Sequence, residues 1–388
     1  MNKTIKTVLF LLLGALSVQS CYEIEDDYTY GNGTQGINWT AAADSSTTSL
    51  VSRFWNTQTG YFVYNNDVMD GGTTPGYWPQ AHAMDVIIDA YVRTGEEKYA
   101  AMFPLWYEGI KAVNFSNPGK GYRNDFYDDS EWIALTMLSL YEVTKEQRYL
   151  DTALDLWQWI KTGWSDLGGG GIAWEAKSHL YSKNACSNGP AAILAARLYP
   201  ITKDKTDLEW SKKIYEWEKS VLFNPASGAV YDNIDTRTGT VSTTVLSYNS
   251  GTFLGAAHLL YGLTADRTYL NDAQKAAYFA ITNSSMIDTG NNVLRDEGTG
   301  DGGLFKGIFM RYFSRLILEP DLNADYARKF MTFFNNNAST LWLRGAYKTD
   351  LLFGPDWTKH QIGTTDLTSH TSGCTLIEAK AWLDSKNK

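Results

Sequence analysis

The chain has 388 residues, 44% of them hydrophobic, and a formal net charge of -9, which is enough apolar material for one large core or two modest ones. No basic stripe is present to neutralise phosphates, so nucleic acid is excluded as a partner, and the acidic residues are spread as on a solvated surface. Aromatic residues make up 14%, with 14 Trp and 24 Tyr; most belong to a core, and the surplus suits a protein that stacks flat apolar ring faces.

Residues 1–20 join a positive start (Lys3, Lys6) to an apolar run from Val8 to Leu16 and a small-residue exit before Cys21. That is an export signal, too short to span a membrane. Cys21, after Leu16-Ser-Val-Gln-Ser, resembles the lipobox of bacterial lipoproteins, in which the Cys becomes the lipidated first residue. Residues 21–36 carry Glu23, Glu25, Asp26 and Asp27 and read as an acidic flexible tether, similar to the signal that routes some such lipoproteins to the cell surface. The expectation is an outer-membrane lipoprotein, monomeric, that meets the membrane only through a lipid on Cys21. The other two cysteines, Cys186 and Cys374, are either bridged or two buried thiols.

Residues 37–388 contain no long linker or low-complexity stretch and read as one domain. Apolar spacing predicts helices over 38–54, 80–94, 96–113, 129–144, 147–162, 183–199, 207–221, 250–263, 266–283, 302–318, 323–338 and 371–384. Odd members such as Asp207-Leu-Glu-Trp-Ser-Lys-Lys are amphipathic and belong in an outer layer. Even members such as Gly189-Pro-Ala-Ala-Ile-Leu-Ala-Ala are small and apolar all round and belong inside. Links from even to odd are short (Arg93-Thr-Gly-Glu, Val143-Thr-Lys-Glu, Leu263-Thr-Ala-Asp), while links from odd to even are long. Six such hairpins suggest an all-α toroid, an (α/α)6 barrel, in which every even helix begins at one shared end.

The unusual residues gather at that end. They are Trp78, Gln80, His82 and Asp85; Asp128 and Asp129; Gly168 to Gly171 with Trp174; Asn184 and Asn188; Tyr248 and Asn249; Asp301 and Lys306; and Ser369 with His370. Each alone is explained by helix capping and turn chemistry. Together they line a rim with carboxylates, amides and rings, as a carbohydrate site requires, with Trp78, Gln80, Asp85, Asn188, Tyr248, Asn249, Asp301 and Lys306 as candidates for gripping sugar. Asp128 and Asp129 are the adjacent pair of aspartates there. Read blandly, Asp128 is an N-cap and Glu131 completes a capping box. Read chemically, two close carboxylates raise each other's pKa and divide into nucleophile or base and proton donor, the pair that glycoside hydrolysis needs. Arg123 is placed in sequence to keep one of them ionised.

Tyr127-Asp128-Asp129 before an apolar helix, Asn184 and Asn188-Gly189-Pro190, Tyr248-Asn249-Ser250-Gly251 and Asp301-Gly-Gly-Leu-Phe305-Lys306-Gly307 resemble glycoside hydrolase family 76, the endo-α-1,6-mannanases, over roughly residues 38 to 384. The resemblance implies an (α/α)6 barrel, a retaining mechanism, no metal, and an α-1,6-linked mannan backbone as substrate. It makes Asp128 the nucleophile and Asp129 the acid/base. Ser250 stands where the family has Gln in Tyr-Asn-Gln-Gly, which touches one substrate contact and not the reaction. A glycan-binding lipoprotein without catalysis would share the aromatic rim and the anchor, but has no use for paired carboxylates. A hydrolase or lyase acting on acidic sugars fits poorly with an acidic chain lacking Arg-rich rim segments. His82, His179, His258, His360 and His370 lack metal-ligand spacing, Gly168 to Gly171 lacks the Lys of a phosphate loop, and Ser369-His370 has no nucleophile elbow.

Overall fold

The computed structural model describes residues 36–67 and 76–386. The export signal, Cys21 and nearly all of the acidic tether lie outside the described residues. The helices are α1 (Trp39–Phe54), α2 (Trp78–Thr94), α3 (Glu97–Ala100), α4 (Met102–Val113), α5 (Tyr127–Thr144), α6 (Gln147–Lys161), α7 (Gly189–Thr202), α8 (Lys205–Val221), α9 (Ser247–Thr264), α10 (Arg267–Thr282), α11 (Asp301–Ile317), α12 (Ala324–Thr340) and α13 (Leu367–Lys386).

Burial sorts them into two layers. α13 buries 15 of its 20 residues and α9 12 of 18, whereas α8 buries 6 of 17. An element buried on all sides needs small and apolar residues everywhere, and a surface helix needs only one stripe. The inner ring runs α2, α5, α7, α9, α11, α13 and closes from α13 back onto α2. With the outer helices α1, α3 with α4, α6, α8, α10 and α12 between them in sequence, this is the expected (α/α)6 barrel. Small antiparallel ribbons edge the connections, the largest pairing Ser182–Asn184 with Asn233–Asp235 and that with Thr240–Ser242.

The short links repeat one device. α2, α5, α7 and α9 each end in Thr followed by a residue in the left-handed region: Gly95 (φ 70°), Lys145 (φ 61°), Lys203 (φ 60°) and Ala265 (φ 59°). Each Thr hydroxyl donates to the carbonyl four residues back and accepts the amide two residues on. The turn reverses the chain in a few residues and satisfies orphaned helix-end carbonyls.

Several helix boundaries differ from the periodicity, each for a local reason. The helix expected over 96–113 breaks near Ala101, because Pro104 has no N–H to return to the turn before it. The one expected over 183–199 starts at Gly189; before it come strand Ser182–Asn184 and a 3-10 turn at Ala185–Ser187. α13 begins at Leu367, four residues early. α5 begins at Tyr127 with Phe126 as its N-cap, so Asp128 is not a cap, and the Glu131 side chain makes no capping bond. Cys186 and Cys374 are separate, buried, free thiols.

A cavity of about 760 Å³ occupies the bore below the rim, walled by His82 and Trp132 near the site and by Arg315 and Trp382 far from it. Ion pairs cross it: Arg311 to Asp89 at 2.8 Å and Arg197 to Glu142 at 2.8 Å. Toward the link end, Arg93 joins Glu378 at 2.8 Å and Asp44 of α1 at 2.7 Å.

Candidate active site

Asp128 and Asp129 occupy the first turn of α5, where unpaired amides and the helix dipole favour anions. Their surroundings differ. Asp128 Oδ1 accepts the Asp129 amide at 3.0 Å, and Oδ2 accepts both the Trp174 indole at 3.2 Å and the Cys186 thiol at 3.2 Å. Burial pushes Asp128 up to about 6, held back by those three donors. Asp129 is buried at 8% exposure and has no side-chain hydrogen bond among those described. Burial pushes it well above the ordinary range, and the charges of Asp128 and Asp301 add to the rise. Three donors support the Asp128 anion, and no side-chain donor among the described residues does so for Asp129, so of the two Asp129 is the one that favours a proton.

The walls follow from the long connections. Trp174 is locked in place because its carbonyl accepts the Tyr127 amide at 3.0 Å and its amide donates to Ser182 at 2.8 Å. Phe126 meets its ring edge-on at 5.0 Å, and exposed Phe115 lies beyond at 6.0 Å from Phe126. On the other side, Trp78 donates its indole N–H to Asp301 at 3.0 Å and lies 6.4 Å from Trp132. Tyr77, buried with its hydroxyl on the Tyr122 carbonyl at 2.7 Å, is pushed upward chiefly by burial and then by Asp129. Tyr248 stacks on Phe305 with centroids 4.0 Å apart and planes 5° from parallel. Its phenol feels Cys186, Asp232 and Asp128, which places it beside Asp128.

Of the sugar-gripping candidates, the structure gathers Trp78, Tyr248 and Asp301 at the carboxylate pair. Asn249 comes close through its amide, which donates to Asp232 at 3.0 Å. Four others have partners of their own away from the pair. Gln80, fully buried, bonds both the amide and the carbonyl of Phe62, at 2.9 and 2.8 Å, and pins the first hairpin. Asn188 likewise clamps Ile172 from both sides and the Asn184 carbonyl. Asp85 lies deeper in the bore, hydrogen-bonded by Thr136 at 3.0 Å and faced by Arg311; burial leads in pushing it up to about 6. Lys306 is buried with its ammonium on the Pro355 carbonyl and 4.2 Å from the Trp357 ring centre, and burial lowers it to about 8. Amides and ammonium groups with no water nearby take backbone partners first. Arg123 pairs with Asp155 at the surface and does not face the aspartates.

Trp174 was legible as a rim residue and not as a carboxylate ligand. Asp232 and Cys186 gave weaker signals: Asp232 lies in a long outer-to-inner link, and Cys186 sits two residues before Asn188. Glu131, three residues beyond Asp128, is fully buried with neither oxygen bonded among the described residues, and burial leads in raising its pKa. Gly168 to Gly171 form a structural loop. The Ser165, Leu167 and Gly170 carbonyls hold the Lys183 ammonium, and a side chain at Gly171 would strike Trp217.

Residues 38–388 match the sequence profile of glycosyl hydrolase family 76. The α-1,6-mannanase GH76A of Salegentibacter sp. HEL1_6 is 43% identical, with 89% of this chain and 100% of that one aligned at a TM-score of 0.83. An inactive variant of that mannanase, with two consecutive aspartates replaced by asparagine, has been solved in complex with α-1,6-mannotriose; it is 42% identical over the same shares of the two chains, at a TM-score of 0.83. The mannan endo-1,6-alpha-mannosidase DCW1 of Saccharomyces cerevisiae is 26% identical over 208 residues, 50% of this chain and 44% of its own length. The chain spans about half the length of the curated relatives it matches.

Proposed function

The chain belongs to glycosyl hydrolase family 76 and is a glycoside hydrolase, and from that premise we propose that it cuts internal α-1,6-mannosidic bonds of a mannan backbone with retention of configuration. The asymmetry of the aspartate pair carries this reading. Asp128, held ionised by three donors, attacks the anomeric carbon. Asp129, kept protonated by burial and by its anionic neighbours, donates that proton to the departing glycosidic oxygen. A covalent mannosyl ester on Asp128 results. Asp129, now a carboxylate, takes a proton from water as the water attacks the same carbon, and the ester bond breaks.

Trp78 and the Tyr248–Phe305 stack offer faces for the sugar rings on either side of the cut. The bound mannotriose of the Salegentibacter enzyme supports the linkage, and its inactivation at two consecutive aspartates supports the pair. Azide tests the roles. With an activated α-mannoside, Asp129→Ala regains turnover in azide and yields the α-mannosyl azide, while Asp128→Ala yields the β-azide or nothing. Correctly folded Asp128→Asn and Asp129→Asn enzymes with normal turnover of α-1,6-mannan would refute the proposal.

The same proposal covers export. Trp39, the first residue of α1, stands at the link end, where Lys380 of α13 lies over its ring at 5.4 Å and Asp44 reaches Arg93 at the end of α2. A lipid on Cys21 then anchors the enzyme at the membrane. Cys21→Ala is expected to move the enzyme from the membrane fraction to the soluble one; retention in the membrane would contradict the anchor.

A further inference from the structure

We propose that Cys186 is a positioning residue for the reaction: its buried thiol donates to Asp128 and fixes that carboxylate for attack. The inference rests on Asp128 being the nucleophile. Cys186 is 4% exposed and sits in the 3-10 turn Ala185–Ser187. The turn is tied down on both sides. Before the cysteine, the Ala185 amide donates to the Asp232 carbonyl at 2.8 Å, and after it the Asn188 side chain is bonded three times. The sulfur is therefore held 3.2 Å from Asp128 Oδ2 by backbone that has little room to move.

Direction matters as well as distance. An ionised carboxylate carries no hydrogen, so in this contact the thiol is the donor and Oδ2 the acceptor. A thiolate would donate nothing and would repel Asp128. Burial, with Asp128 and Asp232 close by, keeps the thiol protonated well above the ordinary thiol range. The groups facing Asp128 are Asp129 and Glu131 from its own helix, Trp174 from the α6–α7 connection, Cys186 before α7, and Tyr248 from α9, with Asp232 from the α8–α9 connection acting on Cys186 and Tyr248. Among these, Trp174 and Cys186 supply the side-chain donors described on Asp128, so losing the thiol removes half of that support.

The test is the pH profile of turnover on linear α-1,6-mannan for wild type, Cys186→Ala and Cys186→Ser, with a thermal melt of each. Asp128 must be ionised to attack, so a lost donor raises its pKa and moves the acid limb to higher pH. Cys186→Ala is expected to move the limb by about half a unit or more and to lower kcat about tenfold, the scale of one weak hydrogen bond to a charge, with KM within about twofold. Cys186→Ser, which keeps a donor, is expected to restore most of both. An unmoved limb and unchanged kcat in a folded Cys186→Ala enzyme would reduce the thiol to packing. If Cys186→Ala does not fold, the infrared S–H stretch in a Cys374→Ala background gives the answer. It is expected to rise when Asp128→Asn weakens the acceptor, and an unchanged stretch would overturn the bond. The two assignments fail separately: an active Asp128→Asn enzyme removes the nucleophile, whereas an inactive one beside an unaffected Cys186→Ala removes only the role of the thiol.

Discussion

The two ends of the barrel are made from the same twelve-helix plan and handle charge in opposite ways. At the link end, carboxylates meet guanidinium groups: Glu378 takes two bonds from Arg93 and a third from Thr47, and Glu142 takes one from Arg197. At the rim end, Asp128, Asp129 and Glu131 are crowded onto a single helix turn with no cation paired to any of them among the described residues. The first arrangement stabilises the fold. The second costs stability and leaves protons poised for transfer, which is how an active site is recognised on physical grounds.

That contrast can be broken most severely at Asp128. Asp128→Asn is expected to lower kcat by about 10⁴-fold or more, as loss of a nucleophile does, while the melting temperature holds or rises, because one of two crowded acids is gone. Parallel kinetics and calorimetry check both halves. Glu378→Gln is the mirror experiment. It leaves Arg93, 13% exposed, without its buried partner, and is expected to destabilise the fold by about 3 kcal/mol with turnover per folded molecule unchanged, measured by urea unfolding beside active-site titration.

A pH series sharpens the comparison. Asp128 has a folded pKa of about 6, above its ordinary 3.8, so between those values the native state binds more protons than the unfolded chain. Its contribution therefore favours folding at low pH and is lost as pH rises from about 4 to about 6. The group is half-buried, so the loss is put at about 1–2 kcal/mol. Unfolding free energy of wild type minus Asp128→Asn across that window is expected to fall with pH; a flat difference would deny the shift.

The smallest effect belongs to the links. Ala265 and Lys203 hold left-handed backbone that glycine adopts without strain, so Ala265→Gly is expected to stabilise by about 0.5–1 kcal/mol, read as a shift in the denaturant midpoint, with no change in activity.

How much of this the sequence disclosed follows the same division. The layers were legible because inner and outer helices differ in composition along their whole length, and the links because Thr followed by Glu or Asp recurs. Asp128 and Asp129 taken alone read first as helix-start acids, and only the company of the other rim residues pointed them toward chemistry. Which polar rim residues reach the cleft was not legible. Gln80 and Asn188 look the same in sequence as Asn249, and only packing shows that Phe62 and Ile172 claim the first two. Cys186 was read as a bridge or a buried thiol, since nothing local ties it to a carboxylate 58 positions away.

The most direct test of the central claim is proton NMR of the first products released from linear α-1,6-mannan by the chain that follows Cys21. A ladder of oligosaccharides whose new reducing ends appear first as the α-anomer, and drift to the equilibrium mixture only later, is the expected result. Ends that appear first as the β-anomer, or mannose released singly with no ladder, would contradict an endo-acting retaining enzyme built on Asp128 and Asp129.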